Sequence, residues 1–230
     1  MPSPKRHPAP PENPAVAARI ARRERRRSRS RDEILEGARR VLLRSGIAAT
    51  TLESVAREIG VSKTALYYYF PSKDALLFEL VFSVLEAQAK AVHRAVENTS
   101  DGAGALRAIV RETVHSFAPR LDDFRLAFLH GQVASPGSVH LDEQQFTRVR
   151  PLNDLVLVGA TKKLADERKK RRGGARVRVE PRLLAFLAYL AAIGMLTMKG
   201  MVESVEDPLL YSDDQLIDGF ARIFEAAAAL

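Results

Sequence analysis

The sequence predicts an all-α protein: a small N-terminal helical domain followed by a larger helical domain. Three observations carry this. Apolar residues recur at helical spacing, as in Leu52, Val55, Ala56 and Ile59. Capping residues and glycines stand at the ends of such stripes. No run alternates with period two for long enough to read as a strand. Val177 and Val179 in RVRVE come nearest, and they fall in a loop before Pro181.

Composition sets the bounds. The chain has 230 residues, enough for a small domain plus a bigger one, and its formal net charge is +8. Ten Lys or Arg against two Glu in residues 1–31 account for all of that charge. Basicity therefore belongs to the N-terminal segment, and the remainder is balanced. Cysteine is absent, which excludes a disulfide framework and thiolate metal sites. The N-terminus has no apolar h-region, so no signal peptide is expected and the protein is expected to be cytoplasmic.

Residues 1–28 are rich in Pro and Arg with almost nothing large and apolar to bury, so they are expected to be disordered in isolation. The run ARRERRRSRSR reads as an extension of the next helix, as a basic arm along nucleic acid, or as a solubilising tail. Its contiguity with the first domain, residues 29–75, favours the arm. The first helix of that domain is expected from about Ser30 to Ser45, with Ile34, Ala38, Val41 and Leu42 inward and Gly46 closing it.

Thr50 with Glu53 three positions on is expected to form a capping box and open the second helix. Gly60 ends that helix, because glycine adopts the left-handed C′ conformation without a Cβ clash. Ser62 caps a third helix after the Gly60-Val61 turn, Leu66 and Phe70 lie on one face of it, and Pro71 stops it. Two short helices joined by a tight glycine turn make a helix-turn-helix.

The third helix has an unusual surface. Tyr67, Tyr68 and Tyr69 are consecutive, so at about 100° per residue they fan over roughly 200°. At least one of them must face solvent or a partner. Three of the five tyrosines in the chain stand here, beside Lys63, Thr64 and Lys73. Hydroxyls and ammonium groups suit phosphate contacts, and tyrosine rings pack on thymine methyls. The alternative is that the tyrosines brace the helical hairpin and only their ends are wet.

The run GVSKTALYYYFPSKDALL resembles the DNA-binding signature of the TetR/AcrR family of bacterial transcription regulators, over Arg31 to about Leu85. The chain departs from the family pattern at Thr64-Ala65 and at Tyr69, where many members carry Gly-Thr and His. Those changes are expected to alter which operator is read. On the chemistry and the resemblance together, the candidate DNA contacts are Thr50, Thr51, Ser62, Lys63, Thr64, Tyr67, Tyr68, Tyr69 and Lys73. The implied partner is a double-stranded DNA operator.

Ser72 caps a fourth helix, Lys73 to Glu97, which is apolar on several faces and is expected to be sandwiched between layers. It links the first domain to the second, residues 76–230. In the resembled family this helix transmits ligand binding to the DNA-reading heads. After the polar turn 98–104, helices are expected near Ala105–Arg120, Leu121–Val133, Leu141–Lys170, Pro181–Val202 and Asp213–Ala229, with interruptions at Gly131 and Pro151. Leu183 to Met198 is uncharged for sixteen residues. That is shorter than a bilayer requires, and Arg182 and Lys199 bracket it, so it reads as a helix buried on most sides and not as a membrane anchor.

Ser212 and Gln215 form a further capping box, and Leu216, Phe220, Ile223, Phe224 and Ala227 make one apolar stripe. With Leu187 and Leu190 of the preceding helix they either pack internally or meet a second copy. The family resemblance implies a four-helix dimer interface. One short helix in one groove also gives little specificity, which favours a homodimer.

The sequence offers no catalytic constellation: HExxH, GxSxG, P-loop and GxGxxG are all absent, and the five histidines are scattered. No metal or cofactor is expected, and the chain is not read as an enzyme. Asp122-Asp123 is explained by helix-dipole complementarity. His130 and Gln132 are either core groups bonded to backbone or polar groups of a mainly apolar pocket with Phe117, Phe128, Phe82 and Phe146. The expectation is a dimeric DNA-binding regulator, a repressor released by a small, mainly apolar effector. The alternative is an architectural DNA-binding protein whose C-terminal domain recruits another protein without a small ligand. A closed apolar cavity within residues 105–204 would favour the first, and a solid core with an extra exposed patch the second.

Overall fold

The computed structural model of the protein describes residues 14–129, 142–170, 179–202 and 211–229. Every regular element among them is helical, and they include no strand. The chain divides into two compact units, Met1–Leu80 and Val81–Leu230.

The first unit holds α1 (Pro14–Ala49), α2 (Leu52–Ile59), α3 (Lys63–Tyr69) and the start of α4 (Lys73–Glu97). Residues 14–28, expected to be disordered, belong to α1. Of the readings of the Arg-rich run, the helical extension is the one the backbone adopts. Gly46 breaks the helical path near its end at φ 75°, as expected of a closing glycine. The core is Ile34, Ala38, Val41, Leu52, Val55, Ala56, Leu66, Phe70 and Leu76. Each large side chain in it contributes about 1.5–3 kcal/mol by leaving water. Gly37 lets α1 and α2 approach, since a Cβ there would collide with Ile59 Cγ2. Glu58 of α2 then accepts from Arg40 Nε and Arg44 Nη2 of α1, each at 2.9 Å. The compact unit extends to Leu80: Leu76 of α4 belongs to its core, and Leu80 is also buried.

In the second unit α5 (Gly102–Phe117) is central. A 3₁₀ turn (Ala118–Arg120), α6 (Leu121–Phe124) and a π-helical turn (Arg125–Leu129) follow it. Then come α7 (Glu143–Lys170), α8 (Pro181–Val202) and α9 (Asp213–Ala229). Ala105, Leu106, Ile109, Val110, Val114 and Phe117 of α5 are buried against α7, α8 and α9. The Gln88 amide of α4 donates to Thr113 Oγ1 of α5 at 3.1 Å, so two buried polar side chains satisfy each other. Asp122 and Asp123 stand in the first turn of α6 as expected, paired with Arg125 and Arg120.

Two expectations change here. Pro151 does not interrupt α7, which runs through it. The residue faces solvent, where water can take the carbonyl that the missing N–H leaves free. Gly131 lies outside the described residues. The helix α8 is not buried on most sides. Pro181–Lys199 is long and apolar enough to cross a membrane by length and composition, and a third of that window is buried. Leu184, Ala185, Ala188, Ala192, Met195 and Leu196 face the core, while Leu183, Phe186, Leu187, Leu190 and Met198 are exposed. Ala185, Ala188 and Ala192 let α8 lie close to α5, and a second row of bulky side chains is left outside.

Candidate nucleic-acid interface

The helix-turn-helix is capped throughout. Thr51, and not Thr50, caps α2: its hydroxyl accepts from Ser54 N at 3.0 Å, and Thr51 N donates back to Ser54 Oγ at 2.9 Å. The box is therefore Thr51–Ser54 and not Thr50–Glu53. Thr50 has no exposed surface, and its hydroxyl donates to Gly46 O at 2.8 Å. It is a fold residue and cannot meet DNA. Gly60 takes the left-handed conformation, φ 70° and ψ 32°, with its N–H directed to Ala56 O. Ser62 caps α3 through Ala65 N at 3.1 Å, and Ser72 caps α4 through Ala75 N at 3.1 Å.

Leu66 and Phe70 fix α3 to the core and so decide which residues it presents. Lys63, Thr64, Ala65, Tyr67 and Tyr68 are exposed, with Tyr67 at 45% and Tyr68 at 65%. Tyr69 packs partly on the core and meets Tyr68 edge-to-face at 5.3 Å. The bracing reading thus fits Tyr69, and the partner-facing reading fits Tyr67 and Tyr68. Thr51 is exposed beside them in sequence.

One contact is absent from the sequence expectations. Lys63 forms an ion pair with Glu53, across the turn from α3 to α2, and its Nζ lies 5.7 Å from the centre of the Tyr67 ring. The hydrogen bond from Lys63 holds the Glu53 carboxyl below the usual carboxylate range, and the same contact raises Lys63. Opposite charges in the first turns of consecutive short helices are the available signal. The residues are ten apart, outside any within-helix pairing rule.

Lys73 serves the fold as well. Its ammonium donates to Ile47 O at 2.5 Å and Ala48 O at 3.4 Å, at the carbonyl end of α1. An ammonium has three donors, so a phosphate contact is compatible with this role. Arg31, counted with the basic arm on composition, pairs with Glu79 at 2.7 Å and stacks over Phe70 at 4.9 Å.

Phe82, Phe117, Phe128 and Phe146 are not among the residues that line the cleft between α7 and α8. Phe117 and Phe128 pack with Phe124 in an edge-on and stacked cluster, ring centres 5.2–5.7 Å apart. Phe146 is 57% exposed on α7, and the guanidinium of Arg148 covers Phe82 at 4.2 Å. His130 and Gln132 lie outside the described residues. The cleft between α7 and α8 is open, about 450 Å³ in volume, with Val156, Leu157 and Tyr189 among its lining. Asn153, Glu180 and Arg182 give it a polar side, and Leu183 and Phe186 complete the lining. Burial pushes the Tyr189 phenol up, so it stays protonated. Tyr189 also touches Phe128, 6.5 Å between ring centres, which ties this cleft to the aromatic cluster.

The apolar stripe of α9 splits in two. Phe224 is 7% exposed and belongs to the core, so it is not available to a second copy. Leu216 and Phe220 are partly buried against the same core, while Ile223 is 62% exposed. On α8, Leu187 and Leu190 are exposed in one row with Leu183 and Phe186, at the i, i+3, i+4, i+7 spacing of a single face. The Ser212–Gln215 box is formed as expected, Ser212 N to Gln215 Oε1 at 2.9 Å and Gln215 N to Ser212 Oγ at 3.2 Å.

Comparison with known proteins places this geometry. Residues 34–80 match the family described as bacterial regulatory proteins, tetR family. An uncharacterised HTH-type transcriptional regulator of Bacillus subtilis, YxaF, is 29% identical over 92 residues, which is 40% of this chain and 48% of the relative. The chain thus matches about half the length of that curated relative. Among solved structures, a TetR/AcrR-family transcriptional regulator from Thermobifida fusca superposes with a TM-score of 0.63 at 21% identity, covering 85% of this chain and 96% of its own. AibR, solved with isovaleryl coenzyme A and operator DNA, has a TM-score of 0.56 at 20% identity, covering 84% and 96%. These likenesses extend the shared fold over both units.

Proposed function

Since the chain belongs to the TetR family of bacterial regulatory proteins, we propose that it is a homodimeric transcriptional repressor that a small effector releases from its operator. The observation that carries the reading is the exposed row on α3. Thr64, Tyr67 and Tyr68 have no part in the core cluster, yet Leu66 and Phe70 hold their helix rigidly. That is the arrangement of a recognition helix, with Thr51 and Ser62 beside it as phosphate contacts. Lys73 adds a cation at the end of α1, and the Arg-rich start of α1 adds further charge for counterion release. Leu187 and Leu190 of α8, with Ile223 of α9, supply the dry face for a second copy.

The cleft between α7 and α8 supports an effector with a mainly apolar body. Isovaleryl coenzyme A, which AibR binds, is the first compound to try, because a branched acyl group suits Val156 and Leu157. Release would follow from differential affinity: an effector that prefers one spacing of the two heads draws the dimer away from the other. The packed aromatic cluster supports the rival reading, an architectural protein without a ligand. A thermal shift with acyl thioesters that is lost in Leu157→Phe supports the effector reading. No shift across such compounds supports the rival.

Selection from randomised duplex DNA tests the whole. A twofold-related sequence with half-sites about one helical turn apart, ~34–36 Å, is expected. Failure to enrich any sequence would refute sequence-specific binding, and an asymmetric single site would refute the dimer.

A further inference from the structure

Glu53 stands in the first turn of α2 and Lys63 in the first turn of α3, and the ion pair between them lies at the edge of the α3 row. Both side chains are about half exposed, 47% and 57%. Exposed pairs of this kind add little to folding. The pair matters instead to any charged surface that approaches it. A carboxylate beside a phosphate array is repelled, and a cation already neutralised by that carboxylate releases no counterion when it nears DNA. Lys63 is also confined from a second side by the Tyr67 ring. It is a cation on the proposed DNA face that the protein itself holds occupied.

We propose that Glu53 is a specificity-determining residue: it keeps Lys63 paired in loose, non-specific complexes and so withholds that cation from phosphates. Only a fully seated complex, with α3 in the groove, brings a phosphate close enough to replace the carboxylate. The pair then penalises wrong sequences more than the operator, which is the repulsive element that a difference of affinities requires. This rests on the reading that α3 faces DNA.

The test titrates the full chain against a scrambled duplex at several salt concentrations. Glu53→Gln keeps the shape of the side chain and removes its charge. It should steepen the slope of log K against log salt by about 0.9, the value for one more neutralised phosphate. Lys63→Ala alone should leave that slope unchanged. In the double variant the steepening should vanish, which a general effect of one fewer negative charge would not produce. Against the selected operator, Glu53→Gln should tighten binding less than it does on the scrambled duplex, so the specificity ratio falls.

Two results overturn the proposal. One is a slope that flattens in Lys63→Ala alone, which means Lys63 is already on phosphate. The other is weaker operator binding in Glu53→Gln, which means Glu53 reads a base directly, as a carboxylate accepting from a cytosine amino group would. Failure of the underlying reading looks different. In that case Tyr68→Ala leaves operator binding intact, and the proposal falls with it.

Discussion

In the first unit the large exposed aromatic side chains, Tyr67 and Tyr68, carry hydroxyls; in the second, Leu187 and Leu190 of α8 carry none. Both rows are displayed by helices whose opposite face is fixed in a core, Leu66 and Phe70 for α3 and the alanines of α8. The difference is in the partner each row suits. A ring with a polar end can lie against a hydrated, charged surface, and a fully apolar row gains only by leaving water. On the proposed function the first row meets nucleic acid, and the second meets another copy of the chain.

The sharpest way to break this comparison lies in two neighbouring residues of α9. Phe224→Arg places a charge in the subunit core and should cost several kcal/mol, enough to unfold or aggregate the second unit. Ile223→Arg changes an exposed position and should leave a folded chain that sediments as a monomer. Circular dichroism and sedimentation read the two outcomes separately. An intact dimer in Ile223→Arg, and also in Leu187→Arg and Leu190→Arg, moves the interface elsewhere.

Next in size is the Arg-rich start of α1. Removing residues 1–28 should make the salt slope of operator binding shallower by about 2.7, if three of its cations neutralise phosphates. Preference among operator variants should hardly change. An arm that reads a minor groove would instead relax preference at A·T-rich flanks. An unchanged slope would make the segment a solubilising tail.

Smaller still is the cap of α2. Thr51→Ala should cost about 1 kcal/mol of stability, because Ser54 N–H loses its acceptor. Thermal melting measures it. Thr50→Ala also loses a hydrogen bond, to Gly46 O, but on the buried side, so it should leave any DNA contact untouched.

The threonines show where sequence reading stops. Either Thr50 or Thr51 can cap a helix, and only the burial of Thr50 decides between them. The spans of α4, α8 and α9 were legible to the residue, because caps, prolines and periodicity are local signals. The two faces of α8 were not, since a helix of Leu, Ala and Phe looks apolar all round until its neighbours are known. The pocket was the least legible part. Phe117, Phe128 and Phe146 are equivalent letters, yet the first two meet edge to face and the third is exposed. Nor does the sequence mark Lys73 as a fold residue, because its acceptors are backbone carbonyls 25 and 26 positions away. Lys73→Ala is therefore expected to lower melting temperature as well as DNA affinity.

The claim that α3 presents its tyrosines to DNA is tested most directly by Tyr68→Ala beside Tyr69→Ala, each titrated against the selected operator and melted alone. Tyr68→Ala should weaken binding by about 1–3 kcal/mol with melting unchanged, since its ring is exposed. Tyr69→Ala should lower the melting temperature first, since its ring packs partly on the core. Full operator affinity in Tyr68→Ala, or loss of its fold, would contradict the account.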